Sequence, residues 1–473
     1  MEAKRSNDKK SVVIIGAGIS GLSCAYELKQ RCPQLRITIL EKAELAGGVI
    51  KSLNIDETLI ECGPESFSTL KPDVLELARK LKISHRVIQT RAENRRSFVS
   101  LEKQLHSLPE GFMMFAPANL WSFALTEIFS LGGKMRMAMD LLIPKSDGNK
   151  DESLAEFVTR RLGKEALQKL AEPMIGGIYG GDPEMLSARS TVPQLVELER
   201  QHGSVIKGLM KAHRKEKLAS SGPRYGALSS FDGGISVLVK ALLDELPAEA
   251  LLKSKTVNHI IKGRNASRWN VLCSDNSSYS SEYVVLATPA QQSALLLSEI
   301  NPGLACKLER IPRSSAIIIN LVYDRYQIKH PLNGFGFVVP RSENMLVSAC
   351  SFSNIKFEGR ADEKRILLRL FTGGVLKSES MALSDSQLVQ KADSELQTIL
   401  GIEGNPKLKL VTRHPDAIPQ YLVGHSELVQ QIDKERLLSP GIELVGNSFT
   451  GVGLPDCLRT ARAAAERIAA EIA

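Results

Sequence analysis

The chain of 473 residues carries a net charge of +8, and its 43% hydrophobic and 24% charged content suits a globular protein of about two to four domains, excluding disordered and fibrous classes. Its seven scattered cysteines contain no C-x-x-C pair and its eight histidines no H-E-x-x-H pair, so we expect no disulfide framework, no metal, and a reducing, cytoplasmic compartment. The longest uncharged apolar run, Gly111 to Thr126, contains Pro117 and is shorter than the roughly 20 residues that span a bilayer, while the basic clusters Lys4 to Lys10 and His213 to Lys217 lack the interleaved aromatics of a nucleic-acid partner.

The first predicted element is a buried strand, Val12 to Ile15, followed by Gly16-Ala17-Gly18-Ile19-Ser20-Gly21 and a helix over Leu22 to Gln30. Strand, glycine turn and helix in this order make a dinucleotide cradle. The first glycine permits the tight turn, the second lets a pyrophosphate approach the backbone, and the third lets helix pack on strand with its N-terminus facing the phosphates. A second strand, Arg36 to Leu40, runs into Glu41, twenty residues past Gly21, where a carboxylate can accept from a ribose hydroxyl. Lys42 follows, and then a second glycine pair, Gly47-Gly48-Val49. At this pair the chain resembles flavoproteins of the amine oxidase and desaturase superfamily, in which such a pair passes close to the flavin pyrophosphate. The resemblance implies FAD in place of NAD.

Further along, Phe112 to Leu198 repeats apolar residues at three- and four-residue spacing (Leu154, Phe157, Val158) and is expected to be helical. Tyr283 to Leu286 reads as a strand returning to the nucleotide domain. The runs Ala316 to Val322, Gly336 to Val339 and Ile366 to Phe371 are strand-like and bounded by Pro, Gly and Asn, as in a mixed sheet. Ile442 to Val445 is a strand, Gly446 to Gly453 a glycine-rich turn, and Pro455 to Ile472 a helix whose positive end can stabilise an anionic reduced flavin. The expected class is α/β, with a Rossmann-type FAD-binding domain from residues 8–88, 222–296 and 408–473. A mainly helical active-site or membrane-facing insertion domain is expected at 89–221 and a mixed-sheet substrate domain at 297–407.

Local strings narrow the family: Glu61-Cys62-Gly63-Pro64-Glu65-Ser66-Phe67, Asn94-Arg95, Gly177-Ile178-Tyr179-Gly180-Gly181-Asp182-Pro183 leading to Leu186, Phe231-Asp232-Gly233-Gly234, Pro419-Gln420-Tyr421, and Gly451 to Cys457. With these the whole chain resembles the oxygen-dependent protoporphyrinogen and coproporphyrinogen oxidases of haem biosynthesis, the Gly177 and Pro419 strings being the most specific. The resemblance implies a six-electron oxidation of a porphyrinogen in three flavin cycles, each reoxidised by dioxygen with release of hydrogen peroxide. We place protoporphyrinogen IX, with two propionates, narrowly ahead of coproporphyrinogen III, with four.

For FAD the resemblance adds Gly63, Pro64, Glu65 and Ser66, Val257 at the adenine, and Asn447, Val452, Gly453 and Leu454 to the residues already named. For the substrate it implies Arg95 as the propionate cation; Lys71 is a second candidate cation and Lys207 a third, and Gly177 is read as lying against the macrocycle, where a bare backbone can approach the ring. No catalytic acid or base is assigned. The Gly111 to Thr126 segment is amphipathic enough either to touch a lipid interface or to line a substrate tunnel. Two other readings stand: a flavin amine oxidase, whose two-ring cage would have only Tyr421 and Phe449 to draw on between 411 and 457, and a non-catalytic porphyrin-binding flavoprotein. Monomer and homodimer both remain open.

Overall fold

The computed structural model describes residues 10–109, 112–148, 150–219, 228–263 and 268–473. Of the sequence expectations, the Lys4 to Lys9 stretch, the His213 to Lys217 side chains, Gly111, and the first residues of the 222–296 stretch lie outside the described residues.

Five strands form a parallel sheet: β1 (Ser11–Ile15), β2 (Arg36–Leu40), β3 (Leu251–Leu252), β4 (Tyr283–Leu286) and β5 (Ile442–Leu444), in the spatial order β3-β2-β1-β4-β5. Val12, Val13, Ile14 and Ile15 carry no polar side chain, which fits a central strand covered on both faces, and all are buried. The helices α1 (Ile19–Arg31) and α2 (Leu454–Ile472) pack on one face of this sheet, where Leu22, Ala25 and Leu28 meet Leu458, Ala461 and Ala465. Alanines on α2 let the two helix axes come close. The sheet is thus assembled from the start, the middle and the end of the chain, as its strand and turn signals imply.

The long crossovers carry the other two parts. A seven-stranded mixed sheet runs in the order Leu408–Pro419, Arg313–Asp324, Arg365–Gly373, Ala349–Phe352, Gly336–Val338, Phe98–Leu101, Gln104–Ser107. Two of its strands differ from the sequence expectation. Leu408–Pro419, expected with the nucleotide-binding stretch, is an edge strand pairing along Arg313–Asp324. Its Pro415 sits at a register shift, the position where an edge strand tolerates a missing N–H. The hairpin Phe98–Leu101 and Gln104–Ser107, expected in the helical part, adds to the opposite edge by pairing Phe98 with Phe337.

Residues 120–219 are helical, around a core in which Phe112, Phe123 and Phe129 lie within 6.3 Å of one another. The fully buried Arg161 pairs with the fully buried Asp140 and donates to the carbonyls of Ile143 (3.0 Å), Pro144 (3.1 Å) and Gly203 (3.0 Å). Asp140 also accepts from the Ser204 hydroxyl and the Ile206 N–H at 2.9 Å. This network pins the segment 139–144 to the core, while its neighbours Met139, Leu141 and Leu142 stay exposed.

Candidate cofactor and substrate site

After β1 the chain turns at Gly16, whose φ of +103° suits glycine, and α1 begins with Gly18 as N-cap. A methyl group on Gly21 would lie 2.0 Å from the Gly16 carbonyl oxygen, so α1 reaches the turn only because no side chain intervenes. The space a side chain would take at Gly18 is open, and no side chain caps α1, so its first N–H groups are available to an anion. The Gly47 N–H donates to the Ala17 carbonyl at 2.8 Å, and Gly48 packs so closely that a methyl group there would be 3.3 Å from the Gly18 Cα. Val49 follows, half exposed, and its carbonyl oxygen would lie 1.9 Å from a methyl group on Gly63. A continuous track of bare backbone therefore runs from Gly18 to Gly63.

Glu41 is buried, and its two carboxylate oxygens accept from the Ala17 N–H at 2.7 Å and the Ala43 N–H at 2.8 Å. It ties the end of β2 to the glycine turn, and each oxygen retains a lone pair for a ribose hydroxyl. Lys42 is exposed, Pro64 and Ser66 are partly buried, and Val257 packs in a cluster with Ile15 and Leu40. From the C-terminal stretch, Gly446 lies beside Ser20 of α1, and α2 starts at Gly453 with no side-chain cap, so a second helix N-terminus opens on the same region. Asn447, Val452 and Leu454 belong to that turn.

The Glu65 side chain is held by residues of the mixed-sheet part. It is buried, accepts from the Ser353 hydroxyl, and lies 3.1 Å from the Lys356 ammonium. Burial pushes its carboxyl up, but the nearby Lys356, Arg369 and Arg360 charges outweigh burial and hold it down at about 2. Arg369 also donates to the Gly63 carbonyl, and the His414 Nε2 lies 2.6 Å from the Cys62 carbonyl. The mixed sheet thus fixes the Cys62–Gly63 peptide from behind.

On the substrate side, Gly176 and Gly177 belong to the helix Glu172–Tyr179, with open space where side chains would be and the exposed Ile178 beside them. A π-helical turn, Leu167–Ala171, precedes it, a feature frequent at functional sites. The Gln420 amide donates to the Tyr179 carbonyl at 2.7 Å and to the Ser314 hydroxyl at 2.9 Å. The Tyr421 ring lies 5.8 Å from Tyr179 and stacks at 4.1 Å on His425. Its hydroxyl donates to the Asn447 carbonyl and accepts from the Gly451 N–H at 2.9 Å. The Gly177 and Pro419 strings, separate in sequence, are therefore one clamp joining the bare helix face to the glycine-rich turn.

Arg95 is half-buried in the loop before Phe98–Leu101, and the neighbouring Arg96 carbonyl accepts from the Phe335 N–H at 2.7 Å. The Gly177 helix packs on the strand Gly336–Val338, which pairs with the strand that follows the Arg95 loop. Lys71 lies elsewhere, its ammonium 2.6 Å from the Asp456 carboxylate, and Lys207 is exposed on the helix Val205–Ala219.

Residues 19–469 match the model of the flavin containing amine oxidoreductase family. The chain belongs to this family. It is 32% identical to the coproporphyrinogen III oxidase of Bacillus subtilis (strain 168), over 97% of this chain and 98% of the relative. Its identity to the protoporphyrinogen oxidase of Bos taurus is 30%, covering 97% and 98%. A crystal structure of a protein from Exiguobacterium sp. 255-15 superposes with a TM-score of 0.86 at 30% identity, covering 98% of this chain and 99% of the other.

FAD is the cofactor of this oxidoreductase, and the bare track from Gly18 to Gly63, with two uncapped helix N-termini, fits an extended pyrophosphate-containing ligand. Sequence reasoning missed Arg369, although a lone arginine inside the apolar run Ile366 to Phe371 was a visible signal. It also missed the partnership of Lys71 with Asp456, for which the sequence held no signal. Among the described residues no group of His, Cys, Asp and Glu could hold a metal ion.

Proposed function

We propose that the chain oxidises a porphyrinogen to its porphyrin, with dioxygen as the final electron acceptor and hydrogen peroxide as the second product. The observation that carries this reading is the clamp, in which the two strings most specific to porphyrinogen oxidation meet and hold a side-chain-free helix face beside the flavin turn. Bound FAD supplies a two-electron acceptor, used three times per macrocycle. The protein's part is positioning. Gly176 and Gly177 admit a flat ring, and Arg95 can grip a propionate in bidentate fashion. Tyr421 and His425 are buried, and burial holds the His425 imidazole below its usual range. The amine oxidase reading is weakened because the Tyr421 hydroxyl is committed to the Asn447 carbonyl and the Gly451 N–H, and its ring stacks on His425.

Arg95→Ala tests the reading. Loss of a charge-assisted contact worth roughly 1.5 to 3 kcal/mol should lower kcat/KM about ten- to a hundredfold, followed by porphyrin fluorescence with both protoporphyrinogen IX and coproporphyrinogen III. Unchanged values for both would remove Arg95 from the site. If neither porphyrinogen bleaches the flavin of the parent protein under anaerobic conditions, porphyrinogen oxidation itself is refuted and a carrier role gains support.

Peripheral contact with an anionic lipid surface belongs to the same proposal. No helix among the described residues is long and apolar enough to cross a membrane. The segment after residue 111 divides its faces: Phe115 and Phe123 enter the core, while Trp121 is 81% exposed. Leu125, Leu131, Met135 and Leu142 extend the exposed apolar surface, with Lys145 and Lys150 close behind in sequence. The expected result is co-sedimentation with anionic vesicles at low salt that Trp121→Glu combined with Leu142→Glu abolishes. Equal recovery of parent and variant in the supernatant contradicts it.

A further inference from the structure

Lys71 and Asp456 form an ion pair where α2 meets the glycine-rich turn. Asp456 is buried in the first turn of α2, and methyl groups placed on Gly451 or Gly453 would lie 2.4 Å and 3.3 Å from its Oδ2. A helix N-terminus carries about half a positive charge, so a full carboxylate charge at this position, left uncompensated, reverses the sign of the field that α2 offers to a bound flavin. Lys71 restores it, with its ammonium 2.6 Å from Oδ1. The other cation in contact, Arg459, at 3.2 Å, is shared with Asp73 at 3.0 Å. The charge of Asp456 is also felt toward the substrate: burial first, and then Asp456, pushes the Tyr179 hydroxyl up.

We infer that Lys71 serves the reaction as the counter-ion of Asp456, keeping the α2 terminus positive toward the flavin, and not as a ligand for a substrate propionate. To reach a propionate it would have to abandon a buried carboxylate, a costly exchange. Lys71 is thus a positioning residue that acts through Asp456. The inference rests on the assignment of FAD and is independent of which porphyrinogen, if any, is oxidised.

The test is the two-electron midpoint potential of the FAD-loaded protein, with kcat and KM measured beside it. Lys71→Met should lower the potential by about 30 mV, equivalent to a tenfold change in the oxidation equilibrium. Asp456→Asn should raise it, the double variant should return close to the parent, and Lys71→Arg should preserve it. An unchanged potential in Lys71→Met with a raised KM that Asp456→Asn does not rescue overturns the inference and restores Lys71 as a propionate ligand. If Lys71→Met fails to hold flavin, the Asp456→Asn and Lys71→Arg values still decide, and an unshifted Asp456→Asn overturns the inference alone. Potentials that move as expected in a protein inert toward both porphyrinogens support this inference while refuting the proposed function. Turnover of a porphyrinogen with unmoved potentials does the reverse.

Discussion

Gly21→Ala is expected to purify without the yellow colour of bound flavin. The added methyl group would lie 2.0 Å from the Gly16 carbonyl oxygen and 3.2 Å from the Ala287 Cβ. The first contact is with backbone, which cannot rotate aside. α1 must therefore retreat from β1, carrying away the Gly18 N-cap and the N–H groups behind it. Gly47 hydrogen-bonds to Ala17, so the second glycine pair moves too. We expect FAD affinity to fall at least about a hundredfold, close to 2.8 kcal/mol, measured by titrating FAD into apoprotein. A yellow variant with parental affinity would show that α1 does not bear the pyrophosphate.

Asp140→Ala should be the most destabilising single change in the helical part. Its partner Arg161 has no exposed side-chain surface and would be left with Glu199, 3.5 Å away and already paired with Arg160; removing one member of a buried pair typically costs about 3 to 5 kcal/mol. The Ser204 hydroxyl and the Ile206 N–H lose their acceptor as well. Urea unfolding should register this loss. The variant should keep its flavin, because no residue of the FAD track takes part in the network. A loss below about 1 kcal/mol would mean that water or a rearranged carbonyl replaces Asp140.

The elements nearest the cofactor were readable in the sequence because their chemistry is local. A strand without polar residues, glycines at fixed offsets and an acidic residue at the end of the next strand constrain one another within about thirty residues. The Gly177 and Pro419 strings were singled out by resemblance alone, and their physical connection emerged only when Gln420 and Tyr421 were seen to bind Tyr179 and the Asn447 turn. The side-chain partners of Glu65 were hidden for a different reason. Its side chain meets Ser353, Lys356 and Arg369, which arrive from a distant part of the chain and left no mark in the local string. Lys71 and Asp456 are separated by 385 positions, and no periodicity connects them. Leu408–Pro419 concealed its strand behind Pro415, which a sheet edge accommodates and a sheet interior does not.

The order of strands in the parallel sheet also bears on how the protein comes into being. β1 and α1 are synthesised more than 400 residues ahead of β5 and α2, which complete the sheet and cover α1. At about 5 to 20 residues per second, the apolar strand Val12 to Ile15 waits on the order of 20 to 90 seconds on the ribosome before its final neighbours appear. The helical part and most of the mixed sheet lie between and can gain structure earlier from contacts closer in sequence. Nascent chains halted before residue 442 should therefore need chaperone cover and retain no flavin, even when the intervening parts have already become resistant to protease.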